Sequence, residues 1–227
     1  MRINLCHIFW VFFLGLYSCI GPKENPPITK TDPNILVIGN SITWHPPAND
    51  IGWQGNWGMA ASAPGKDFFS VLESYVKSKK PDANLKRENV YPFERGFASF
   101  DFSFYKQLQD FQADILIIRF GENIGEENIN GNSLADAIRL FAEYLANGRK
   151  MEVIITTTFW SSQRVNEQLA LAAQTNNWAM VNLTDLGLKE ENMAIGLFSN
   201  EGVARHPGDL GMERIAKRIF ESLKMNL

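Results

Sequence analysis

The sequence predicts an α/β protein, with helices packed on a parallel sheet. Three observations carry that expectation. Four short, continuous apolar runs at residues 35–38, 115–120, 153–159 and 179–183 are rich in β-branched side chains, the pattern of strands buried on both faces. Amphipathic stretches at residues 67–79, 133–147, 164–175 and 208–223 fall between or after these runs, the order expected of a parallel sheet with crossover helices. In the last stretch Ile215, Ile219 and Leu223 recur at i, i+4 and i+8, a single stripe suited to packing on a sheet.

Along the chain, the first element is a leader. Arg2 precedes an uncharged apolar run over residues 8–17, shorter than the roughly 18 residues a spanning helix needs, so residues 1–18 read as an export signal. The segment Leu16-Tyr17-Ser18-Cys19 resembles a bacterial lipoprotein lipobox, with Tyr17 a bulky departure. That resemblance implies cleavage before Cys19, lipidation of its thiol, and an exported lipoprotein anchored at the periplasmic face or cell surface of the outer membrane. An ordinary secretory signal with a chance cysteine is the alternative. Residues 20–33 hold four prolines and no hydrophobic period, so residues 19–33 are expected to form a tether. One domain, residues 34–227, follows, without internal repeats. Its first strand covers residues 35–38; a weaker strand candidate at 89–93 precedes the second strong one at 115–120.

Composition narrows the function. Of 227 residues, 22 are Lys or Arg and 25 are Asp or Glu, so no basic field exists to attract a phosphate backbone and a nucleic-acid partner is not expected. The two cysteines, Cys6 and Cys19, both lie in the first 19 residues, which leaves the domain without an internal disulfide or a cysteine zinc site. No dinucleotide or phosphate-loop glycine pattern is present, so neither cofactor nor metal is expected. Glu126-Glu127 and Glu190-Glu191 are adjacent in sequence and read as solvated faces rather than a glycosidase acid pair.

In an open parallel sheet, functional groups collect at the carboxyl ends of the strands. Ser41 stands just past the first strand in ILVIGNSITWHPP, where Gly39 permits a tight turn, and is a candidate nucleophile. Such a serine is also a common turn or cap residue. Outside the leader there are two histidines. His206, before Pro207 at the mouth of the last helix, is better held than His45 in the loop before Pro46-Pro47, and is the candidate base. Asn123 in IIRFGENIG and Gly96 in FERGFASF follow strand candidates and could complete an oxyanion hole with the Ser41 N–H.

The blocks GNSIT, ERG, GEN and HPGDLGMERIA, in that order, resemble those of the SGNH, or GDSL-like, hydrolases across essentially all of residues 34–227. The resemblance implies a flavodoxin-like three-layer α/β/α sandwich and an esterase or acylhydrolase without metal or organic cofactor. It also implies Ser41 as nucleophile, His206 as base then acid, and Gly96 and Asn123 in the oxyanion hole. GNSITWHPP followed by GWQGNWGMAAS looks like a subgroup of secreted members. Asn40 stands where many members carry Asp, and Ile124 where Asp is frequent. Val203 occupies the position, three before the histidine, where the family usually has its triad aspartate. Glu201 could orient the ring if the loop bulges; otherwise a backbone carbonyl would, leaving a Ser-His dyad of low basicity and modest turnover.

Trp44, Trp53 and Trp57 cluster after the nucleophile, and amphipathic rings at a cleft rim suit a sugar; they could equally pack the loop onto the domain. The expected substrate is therefore a small-molecule or glycan ester, with carbohydrate O-deacetylation favoured. A lipid or peptidoglycan O-acyl ester is an alternative. A catalytically weak glycan-binding lipoprotein on the same fold is the rival from another class.

Overall fold

In the computed structural model, residues 32–131 and 133–223 are described; the expected signal sequence, Cys19 and nearly all of the expected tether lie outside them. Strand β1 (Asn34–Gly39) lies between β2 and β3, in a five-stranded sheet of order β2-β1-β3-β4-β5 with every pair parallel. The other strands are β2 (Asn84–Asn89), β3 (Ile115–Arg119), β4 (Glu152–Thr156) and β5 (Ala179–Val181). The apolar runs work as the sequence suggests, because successive side chains serve opposite layers. Leu36, Ile38, Leu116, Ile118, Val153 and Ile155 enter one core, whereas Ile35, Val37, Ile117 and Ile154 enter the other.

Helices α3 (Ser133–Ala146) and α4 (Gln163–Asn176) cover the first layer, and α1 (Phe68–Lys79) packs beside α6 (Asp209–Ser222) on the second. Asp67 caps α1 by accepting from Ser70 N at 2.7 Å, which is why the helix starts there. Ile215, Ile219 and Leu223 are buried in the second core, as their spacing implies. No helix among the described residues is long and apolar enough to cross a membrane.

One element departs from expectation. The candidate strand at 89–93 is instead the end of β2 followed by a short helix, α2 (Tyr91–Gly96), with Pro92 in its first turn. β2 reads NLKREN because it is an edge strand, only partly buried, so the continuous apolar run that marks a central strand is missing.

Candidate active site

Ser41 is carried on a turn that β1 enters at Gly39. A Cβ on Gly39 would lie 1.8 Å from Thr43 Oγ1 and 2.6 Å from the Arg119 carbonyl oxygen, so a larger residue would push the turn off β3. Beyond it the chain wraps around Asn40, whose carbonyl accepts from Thr43 N at 2.9 Å and Trp44 N at 3.0 Å. Ser41 itself is pinned through its carbonyl, which accepts from Met59 N at 2.8 Å.

His206 arrives from 165 residues away and its Nε2 lies 2.9 Å from Ser41 Oγ. Its Nδ1 lies 2.7 Å from the Gly202 carbonyl oxygen. A carbonyl can only accept, so Nδ1 carries the proton and Nε2 is free to receive one from the serine hydroxyl. His206 follows a short helix, α5 (Glu201–Ala204), just past its C-cap Arg205, and its backbone is held at both ends: His206 N donates to Val203 O and His206 O accepts from Ala194 N, each at 3.0 Å. Pro207 lies one residue before Gly208, the N-cap of α6, rather than at the first helical position. Trp160 meets the imidazole edge-on, ring centroids 5.0 Å apart. Burial pushes the imidazole pKa down to about 4, against the pull of the Gly202 hydrogen bond and of Glu122.

Glu201 does not orient the ring. Its carboxylate is exposed and bound to Arg205, at 2.6 Å from Nη2 and 3.0 Å from Nε, because both lie one turn apart on the outer face of α5. Val203 is buried against Trp53, Met59 and Ala194, so the position of the missing aspartate is filled by core packing.

Ser41, His206 and Asn123 line one cleft of about 870 Å³. Gly96 does not line it: α2 coils straight from the strand end and leaves Gly96 exposed at its last residue, while Asn89, where β2 stops, faces the cleft instead. Of the three tryptophans only Trp44 lines the cleft. Trp53 is buried, donating to His45 O at 3.2 Å, and Trp57 packs edge-on to it with its indole donating to Ala61 O at 2.8 Å. These two hold the loop onto the domain. The exposed rings that do line the cleft are Tyr91 and Phe104, which carried no motif in the sequence. His45 is also on the rim, its Nδ1 2.6 Å from Pro46 O.

Behind Asn123 lies a buried polar cluster that the sequence did not announce. Arg119 and Glu122 form an ion pair with Nη2 to Oε1 at 2.7 Å and Nη1 to Oε2 at 3.0 Å. Asn40 bridges it to Glu94, donating to Glu122 Oε2 at 2.6 Å and Glu94 Oε1 at 3.2 Å while accepting from Arg119 Nη1 at 3.1 Å. Burial first, and the Glu122 charge second, push the Glu94 carboxyl above the usual carboxylate range, against the hydrogen bonds it accepts. Among the described residues, no three His, Cys, Asp or Glu side chains group to hold a metal ion.

No family model matches the chain, and no curated protein sequence matches it. Solved structures do. An α/β hydrolase enzyme from the metagenome of Lake Arreo, Spain, is 14% identical over 85% of this chain and 95% of its own, with a TM-score of 0.56. A psychrotrophic esterase from Pseudoalteromonas sp., solved inhibited by monoethylphosphonate, is 13% identical over 85% and 97%, also at 0.56. A two-domain esterase active on acetylated mannans, co-crystallised with mannopentaose, is 16% identical over 85% of this chain and 49% of its own, again at 0.56. A protein described as of the lipolytic G-D-S-L family, from Desulfitobacterium hafniense DCB-2, is 15% identical over 85% and 100%, at 0.54.

The chain shares the α/β fold of these hydrolases and esterases. In that fold the carboxyl ends of β1 and β3 are neighbours, and here Gly39 pairs with Arg119, so Ser41 and Asn123 leave the sheet side by side. The segment between α5 and α6 carries the histidine to Ser41.

Proposed function

We propose that this chain is a serine esterase that cleaves an O-acyl ester, foremost an O-acetyl group on a carbohydrate. The observation that carries the reading is the 2.9 Å contact of Ser41 Oγ with His206 Nε2, on a ring whose other nitrogen is committed to the Gly202 carbonyl. Ser41 Oγ attacks the acyl carbon while Nε2 takes its proton, and the oxygen that becomes negative is met by the Ser41 N–H and the Asn123 amide. Collapse breaks the bond to the alcohol oxygen, which takes the proton from Nε2, leaving acyl-Ser41. Water attacks the acyl-enzyme with the same nitrogen as base and frees the acid. A carbonyl stabilises the transient imidazolium less than a carboxylate does, so turnover is modest.

The sugar reading is supported by a cleft that mixes aromatic and polar side chains. The exposed rings of Tyr91 and Phe104, with Trp44 beside them, offer apolar surfaces, while Glu88 and Gln107 offer partners for hydroxyls. The like-folded esterase active on acetylated mannans supports the same substrate class. Export and lipidation at Cys19 complete the proposal and would hold the domain where extracytoplasmic glycans are met.

A fluorophosphonate probe should label the wild type and not Ser41→Ala, and the same substitution should nearly abolish hydrolysis of p-nitrophenyl acetate. Unchanged hydrolysis by purified Ser41→Ala removes the mechanism. Acetate release from a panel of acetylated glycans tests the substrate: cleavage of the small ester with none of the glycans leaves an esterase and removes the sugar.

A further inference from the structure

We propose that Glu94 is a positioning residue of the oxyanion site, its buried carboxylate locking the Asn123 amide to the turn that carries Ser41. The inference rests on the esterase reading for its catalytic consequence, and on hydrogen-bond geometry for its structural part. Four N–H donors converge on this one side chain. Oε1 accepts from Gly121 N at 2.7 Å, Asn123 N at 3.3 Å and Asn40 Nδ2 at 3.2 Å, and Oε2 accepts from Asn123 Nδ2 at 2.7 Å. The donors come from the two loops that leave β1 and β3, while Glu94 comes from α2 after β2, so one group ties three strand ends together.

Every partner is a donor, so the site has a place for an acceptor at both oxygens and for a donor at neither. Glu94 is 1% exposed, which rules out replacement of a lost partner by bulk water. The amide of Asn123 has two N–H bonds; one is spent on Oε2, which fixes the plane of the group and the direction of the other. The same logic accounts for Asn40. It gives both N–H bonds to carboxylates, one on Glu94 and one on Glu122, and an aspartate there would set a third carboxylate against these two with one guanidinium to share. The amide at position 40 and the acid at position 94 are thus a matched pair.

Glu94→Gln keeps the shape but must turn its NH2 toward a donor in either orientation, so the Asn123 amide has to flip or pull away. With p-nitrophenyl acetate, kcat should fall roughly 10- to 100-fold with KM within about twofold, since the lost contact matters in the transition state. Placed in an Asn123→Ala background, Glu94→Gln should change kcat by less than about twofold, because it acts through that amide. Additive losses overturn the proposal. Side-chain hydrogen exchange by NMR reads the same lock without any substrate: the Asn123 Nδ2 protons should exchange at least about tenfold faster in Glu94→Gln. Equal rates overturn it. Should the wild type prove inactive and unlabelled by fluorophosphonate, the esterase reading fails while the exchange measurement still decides the role of Glu94. If Glu94→Gln does not fold, Glu94→Asp, which keeps an acceptor one methylene back, is measured alike. Its kcat should fall between those of wild type and Asn123→Ala, and wild-type kcat with wild-type exchange overturns the proposal.

Discussion

The proposed base should be a weak one, and its protonation can be followed through acid pH. His206 is enclosed by the edge of Trp160 and the wall of the cleft, and burial brings its pKa from 6.5 to about 4. The imidazole must be neutral to take the Ser41 proton. At pH 5 a group of pKa about 4 is roughly 90% neutral, whereas one at 6.5 is roughly 3% neutral, a difference of about 30-fold in competent enzyme. The sign for stability follows from the same drop. Because the folded pKa lies below the unfolded value, the contribution is intact above pH 6.5 and is lost as pH falls toward 4, where the unfolded chain already holds the proton. At about 1.36 kcal/mol per pH unit the loss amounts to roughly 3 kcal/mol. The direct assay is NMR titration of the His206 Cε1 proton, assigned by its absence in His206→Gln, because Glu94 and Glu122 face the same cluster and Glu94 titrates above the ordinary carboxylate range. A midpoint near 4 is expected, with kcat/KM for p-nitrophenyl acetate showing no limb at 6.5. Thermal melts of wild type should approach those of His206→Gln as pH drops from 6.5 to 4. A His206 midpoint at or above 6.5 would refute the assignment of burial as the dominant influence.

Glu201→Gln should leave kcat/KM within about twofold, because that carboxylate serves Arg205 on the outer face of α5; a loss beyond tenfold would make it the ring's partner after all. Phe104→Ala should raise KM for an acetylated oligosaccharide about 5- to 20-fold, the worth of one aromatic contact at roughly 1–2 kcal/mol, while leaving p-nitrophenyl acetate untouched. Equal effects on both esters would assign the ring to packing. Radiolabelled palmitate should enter the wild type expressed in bacteria and not Cys19→Ala; equal labelling of both would show that lipid is attached elsewhere, and absence from both would leave a plain secretory signal.

Much of the fold was legible because burial on both faces leaves a mark in a short window. β1, β3, β4 and β5 each announce themselves as an apolar run, and α6 as a stripe of isoleucines. β2 did not, because an edge strand with only partial burial can be built from Lys, Arg, Glu and Asn. That one miss carried Gly96 with it: a glycine expected just past a strand end is instead at the far end of a helix. The tryptophans misled for a related reason. Trp44, Trp53 and Trp57 are equivalent as letters, and the loop's path over the domain is what buries Trp53 and turns Trp44 to the cleft.

The sequence by itself determined the layered α/β architecture and the strand ends from which Ser41 and Asn123 depart, since period and composition are local properties that a chain carries wherever it goes. It also named His206, by the scarcity of histidine and a neighbouring helix start. Only the tertiary structure decided which group holds the imidazole, which rings face the cleft, and that Glu94, Glu122 and Arg119 share one dry cluster. The cluster depends on contacts between residues 54, 79 or 82 positions apart and on exclusion from water, and no pattern within a window of sequence encodes either.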